Sequence, residues 1–176
     1  MMDFFFKSIH GISIACGVVA SLLVGSSIFV VCQMVFIRYI LNGSTVWQTD
    51  YVTFALVGAT FIGSPYVLLL KGHVNVDLLP HYLSYPQRAV LAYCGSLLGL
   101  LFSATLAYYG FELFHEAWEG NWVSETVWEL PLWIPYLAMP VGVGLLALQY
   151  VADIMALITG REMPFAMEKH SELEGE

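Results

Sequence analysis

The chain has 176 residues, of which 59% are hydrophobic and only 11% charged, and it carries a formal net charge of −8 at pH 7. A soluble domain needs about 25% charged residues to cover its surface, so the surplus apolar surface calls for lipid. The deficit excludes a water-soluble enzyme and a disordered chain, and the negative balance argues against binding nucleic-acid phosphates.

Four stretches lack Asp, Glu, Lys and Arg altogether: 8–37, 51–70, 89–111 and 130–152. A membrane-crossing helix needs about 20 apolar residues, and each stretch suffices. None shows the alternating segments of about ten residues that build a membrane barrel. The first is too long for the apolar core of a cleaved signal peptide, which is about 7–15 residues. The expected fold is an all-α integral membrane protein in one domain over 1–176, with spans at about 11–37, 51–70, 89–111 and 130–152.

Helix one holds a small-residue stripe at Gly17, Ser21 and Gly25, and helix two one at Ala55, Ala59 and Gly63. Helix three continues the pattern with Gly95, Gly99, Ser103 and Ala107. Small residues every fourth position let helix backbones approach closely in lipid, so each stripe marks a candidate packing face, in this chain or against a partner. Pro65 and Pro140 fall inside helices two and four, where each frees a backbone carbonyl.

The connections have characters of their own. Residues 71–88 read KGHVNVDLLPHYLSYPQR, with Val74, Leu78, Leu79, Tyr82 and Leu83 at helical spacing, which fits a short amphipathic segment in the membrane interface. His73 and Asp77 stand four apart there and share a helix face, either to fix the segment or to touch a partner. The third connection carries Glu112, Glu116, Glu119, Glu125 and Glu129 without a Lys or Arg, together with Trp118, Trp122 and Trp128, and Trp133 follows. Such tryptophans anchor helix ends at the headgroup level or dock a protein. Residues 153–176 read as a cytoplasmic tail.

Orientation follows from Lys and Arg. Lys7, Lys71, Arg88, Arg161 and Lys169 fall on the side of the termini, and Arg38 alone falls on the other. The positive-inside rule then puts both termini in the cytoplasm and the acidic third connection outside.

The chemistry of the spans is sparse. The 20 charged residues all lie outside the four stretches, whereas an autonomous transporter keeps an ionisable group at membrane depth. Glu112, His115, Glu116 and Glu119 can share one helix face, but a di-iron site needs a second Glu-x-x-His element in the bundle core. His10 and His73 leave a bis-histidine haem geometrically open, with the chain as the anchor of a respiratory enzyme. A free-standing small channel or exporter is a further alternative. Cys16, Cys32 and Cys94 sit singly and read as small hydrophobes.

Three motifs in order carry a resemblance. They are RYILNGSTVWQTDYV (Arg38, Asn42, Trp47, Asp50), KGHVNVDLL (Gly72, His73, Val74, Val76, Asp77) and LPLWIPYLAMPVG (Leu130, Pro131, Trp133, Tyr136, Pro140, Gly142). With the four-helix count, the chain resembles the small membrane subunit of tripartite ATP-independent periplasmic (TRAP) transporters, the DctQ-like family, over about residues 8–155. Thr49 and Asp50 stand where that family often has two glutamates, and Thr53 where an arginine commonly follows.

The resemblance implies an accessory subunit of the bacterial inner membrane, not an enzyme and without a cofactor. Its large polytopic partner would carry an organic anion, such as a C4-dicarboxylate or a sialic acid, with sodium bound on that partner only. The small subunit would widen the partner's scaffold and help dock a periplasmic substrate-binding protein. Candidate structural and subunit-interface residues are Arg38, Trp47, Asp50, His73, Asp77, Gly95, Gly99, Ser103, Trp133 and Pro140. Glu116, Glu119, Trp122 and Glu125 form the candidate docking surface, and Arg38 and Asp50 could pair across the first turn.

Overall fold

The computed structural model describes residues 2–70 and 85–159. It contains four helices: α1 (Met2–Ile40), α2 (Val46–Leu69), α3 (Tyr85–Glu119) and α4 (Trp133–Ile158). All four are long and apolar enough to cross a membrane, and the protein is an all-α membrane protein. His73 and Asp77, and the interfacial segment before residue 85, lie outside the described residues.

The helices run past the uncharged stretches at several ends, because a charge does not stop a helix whose backbone bonds are intact. α1 has 39 residues and α3 has 35, so at 1.5 Å per residue they measure about 58 and 52 Å against a hydrocarbon core of about 30 Å. α3 carries Glu112, His115, Glu116 and Glu119 on its last two turns. α4 begins at Trp133 and continues to Ile158, so residues 153–158 are helix rather than tail. Asp153 is therefore a charged residue inside the fourth helix.

Spatially the helices form a row, α1–α2–α4–α3. α1 packs on α2, α2 on α4 and α4 on α3, while α1 meets α4 only lightly. Small residues make the row. On α2, Ala55, Gly58, Ala59 and Gly63 are all buried. A Cβ added at Gly63 would come within 3.1 Å of Ala20 on α1, and one at Gly58 would lie 3.7 Å from Leu23 and 3.9 Å from Ala138. Gly17 of α1 faces the Tyr66 ring at 2.5 Å by the same measure.

In the α2–α4 contact, backbone meets backbone. Pro65 has no N–H to give the carbonyl of Phe61, and Ser64 Oγ donates to that oxygen instead at 2.8 Å. Gly142 of α4 lies directly over the same carbonyl, so close that any side chain there would strike backbone. On the far side of α4, Gly99 of α3 meets the Tyr150 ring, Gly110 meets Met139 and the nitrogen of Pro140, and Ser103 and Ala117 are fully buried.

Candidate functional site: the capped end of the bundle

The α1–α2 and α3–α4 connections meet at one end of the row. α1 stops where Asn42 takes a left-handed conformation (φ 49°) and the amides of Leu41 and Gly43 both donate to Ile37 O at 3.1 Å. Asparagine tolerates that conformation, which favours a helix stop. α3 ends in a similar way: Asn121 has φ 48°, and Gly120 and Trp122 donate back to Glu116 O and Ala117 O at 2.9 and 3.1 Å.

The segment that follows is tightly tied. Val123 and Pro131 form an antiparallel bridge, with Ser124 N donating to Leu130 O and Leu132 N to Trp122 O, both at 2.9 Å. Glu129 (φ 48°) turns the chain at its tip, and its amide donates to Thr126 O at 3.0 Å. Satisfying the backbone internally lets this loop hold one shape over an apolar bundle.

The loop is fastened to the start of α2. Thr126 Oγ1 donates to Asp50 Oδ2 and shares a 2.9 Å hydrogen bond with Ser124 Oγ. The indoles of Trp47 and Trp128 meet edge to face, 6.3 Å between centroids. Trp118 and Trp133 make a closer edge-to-face pair at 4.8 Å, which joins the end of α3 to the start of α4. Such pairs contribute about 0.5–1.5 kcal/mol beyond area burial.

Arg38 and Asp50 use other partners than each other. Arg38 donates to Thr45 Oγ1 at 2.9 Å, across the tight turn, while Asp50 reaches forward to Thr126. Thr45 occupies the N-cap position of α2, yet its hydroxyl makes no capping bond. Gln48, one turn inside, is buried and its Oε1 has no hydrogen-bond partner.

The remaining sequence candidates divide clearly. Gly99 and Ser103 face α4, Pro140 lies in the α3–α4 contact and Trp133 packs on Trp118. Gly95 points to open space, with nothing within 4 Å of an added Cβ. Glu116, Glu119, Trp122 and Glu125 are all exposed, and Glu119 Oε1 lies 3.6 Å from His115 Nε2. Val127 at the loop tip is 92% exposed. Thr45, Ser124 and Thr126 are not among the sequence candidates, and Trp128, expected as a helix-end anchor or docking residue, packs on Trp47. Thr45 had a signal, as a threonine just before an apolar run, the ordinary place of an N-cap.

No solved structure matches the chain. Two curated relatives are similar to it. The C4-dicarboxylate TRAP transporter small permease protein DctQ of Rhodobacter capsulatus is 25% identical over 130 residues, covering 74% of this chain and 56% of the relative. The protein of the same name from Vibrio cholerae serotype O1 is 24% identical over 148 residues, covering 72% of this chain and 64% of the relative. The chain thus matches less than two thirds of the length of either relative. The sequence model of a transporter family, described as tripartite ATP-independent periplasmic transporters, DctQ component, matches residues 27–160. That match takes in the end of α1, all of α2, α3 and α4 and the capped end, and the chain belongs to the DctQ component family.

Proposed function

We propose that the chain is the accessory membrane subunit of a TRAP transporter in a bacterial inner membrane. It packs beside a large polytopic subunit that carries an organic anion inward with sodium. The family match over residues 27–160 carries this reading. The row of helices suits a scaffold: α3 lies against α4 along one side and leaves Leu97, Leu98, Leu101 and Phe102 exposed. The relatives' names point to C4-dicarboxylates as one substrate class for the complex. Substrate and sodium belong to the partner on this reading.

Both termini lie in the cytoplasm, supported by five Lys and Arg residues on their side against Arg38 on the other. The capped end then faces the periplasm. Its exposed Glu116, Glu119, Trp122 and Glu125, with Val127 at the tip, form a surface for the soluble binding protein. Co-expression with the large permease of the complex and affinity capture of this chain in mild detergent tests the assignment. The two chains are expected at a fixed ratio, and uptake is expected only when both are present. Solute uptake by this chain alone, or a haem absorbance band in the purified protein, would contradict it.

A further inference from the structure

A carboxylate inside an apolar helix calls for a partner that justifies it. Asp153 stands one turn beyond Gln149 on α4, and Gln149 Nε2 donates to its Oδ1 at 3.2 Å. The other end of the same amide reaches α1, where Ser13 Oγ donates to Gln149 Oε1 at 3.0 Å. Ser13 is 2% exposed and Gln149 5%, so this bond is sealed from both lipid and water. It joins residues 136 apart in sequence, on two helices that otherwise touch only lightly.

We propose that Ser13, Gln149 and Asp153 form a polar clasp that sets the position of α1 on the bundle, with Asp153 as its positioning residue. α1 is the outermost helix on its side of the row, packed on α2 and only lightly on α4. Gly11 and Gly25 meet nothing within 4 Å, and an open groove of about 870 Å³ runs along the outside of the α1–α2 seam beside Ser21 and Thr60. Between helices in lipid, apolar contact has little driving force, and close packing with buried hydrogen bonds takes its place. The clasp supplies such a bond between α1 and α4, which otherwise touch only lightly.

Asp153 matters because a primary amide can present either end. An ionised carboxylate only accepts, so it holds Nε2 and aims Oε1 across the gap to Ser13. Without that anchor the amide turns freely and Ser13 loses a fixed acceptor.

The test is a mutant cycle on the unfolding midpoint of the full chain in detergent. Ser13→Ala and Gln149→Leu should each lower the midpoint, and the double variant should be no lower than the worse single variant. Asp153→Asn offers a donor as well as an acceptor and should weaken that coupling. In Asp153→Leu the coupling should vanish, so that adding Ser13→Ala changes nothing further. Additive effects in the native background, or coupling that survives Asp153→Leu, overturn the proposal. If Gln149→Leu does not fold, Gln149→Asn replaces it, since the shorter side chain withdraws from Ser13. A second readout uses cysteines at Ala20 and Gly63 in a background without Cys16, Cys32 and Cys94. Their oxidative cross-link yield in membranes should fall several-fold when Gln149→Asn or Ser13→Ala frees α1, and equal yields overturn the clasp.

Discussion

Gly142 on α4 rests against the carbonyl oxygen of Phe61 on α2, the oxygen that Pro65 leaves without its helical partner. Ser64 Oγ supplies one hydrogen bond to it, and the glycine covers the remaining side. A proline on one helix and a glycine on its neighbour thus form one device. The first exposes backbone, and the second lets backbone close over it.

Replacing Gly142 by alanine should therefore destabilise the chain strongly. The new Cβ would meet the Phe61 carbonyl group and the Ile62 nitrogen, and neither can rotate away. Overpacking costs about 1–3 kcal/mol where side chains yield, and more is expected here. Gly144→Ala is the control, because nothing lies within 4 Å of its added Cβ, and loss of a helical glycine should be neutral or stabilising. Thermal unfolding of the two variants in the same detergent reads the difference.

Gly99→Leu and Gly95→Leu should separate folding from assembly. A side chain at Gly99 strikes the Tyr150 ring, so that variant should lose α3–α4 packing and about 1–3 kcal/mol of stability. Gly95 faces open space, so its variant should keep the native midpoint. A drop in recovery of the large subunit with Gly95→Leu alone would place that position at the subunit contact.

At the capped end, Asp50→Ala should cost about 1.5–3 kcal/mol, the range for a hydrogen bond to a charged group. Thr126→Val should do much the same, and the pair should be non-additive because they share one bond. Arg38→Ala combined with Asp50→Ala should instead add to within about 0.5 kcal/mol, since the two side chains serve different partners. A double-mutant cycle on unfolding free energies distinguishes the two cases.

Neutralising Glu116, Glu119 and Glu125 together should leave the fold intact, because all three are exposed and none anchors the loop. On the proposed reading the association rate of the binding protein should fall about tenfold at low salt, with the gap closing as salt screens the charges. Uptake by reconstituted complex at limiting binding protein measures this. Unchanged uptake removes the docking surface.

Much of the fold was legible because lipid imposes a simple rule: long uncharged runs become helices. The packing faces were only partly legible. On α3 the stripe at 95, 99, 103 and 107 was read at a strict spacing of four. Each such step turns about 40° around a helix of 3.6 residues per turn, so the stripe winds off the contact. The residues that face α4 are Gly99, Ser103, Gly110 and Ala117, at spacings of four and seven, and Gly95 drops away. α2 escaped this drift because Gly58 broadens its small face.

The site was less legible than the fold. Matching Arg38 to Asp50 by charge overlooked Thr45, which the tight turn brings nearer. The bond from Thr126 to Asp50 spans 76 residues and follows no periodicity. Asp153 looked like the start of a tail because it is the first charge after an apolar run. In α4 it accepts from Gln149, one turn before it.

The loop at the capped end does more than close α3 onto α4. Its links to Asp50 and Trp47 make it a crossbeam resting on α2, α3 and α4 together. A push on Val127 at its tip would be shared among these three posts. A partner landing there would meet a stiff platform, and the force of its arrival would travel down α2, α3 and α4 rather than into a yielding loop.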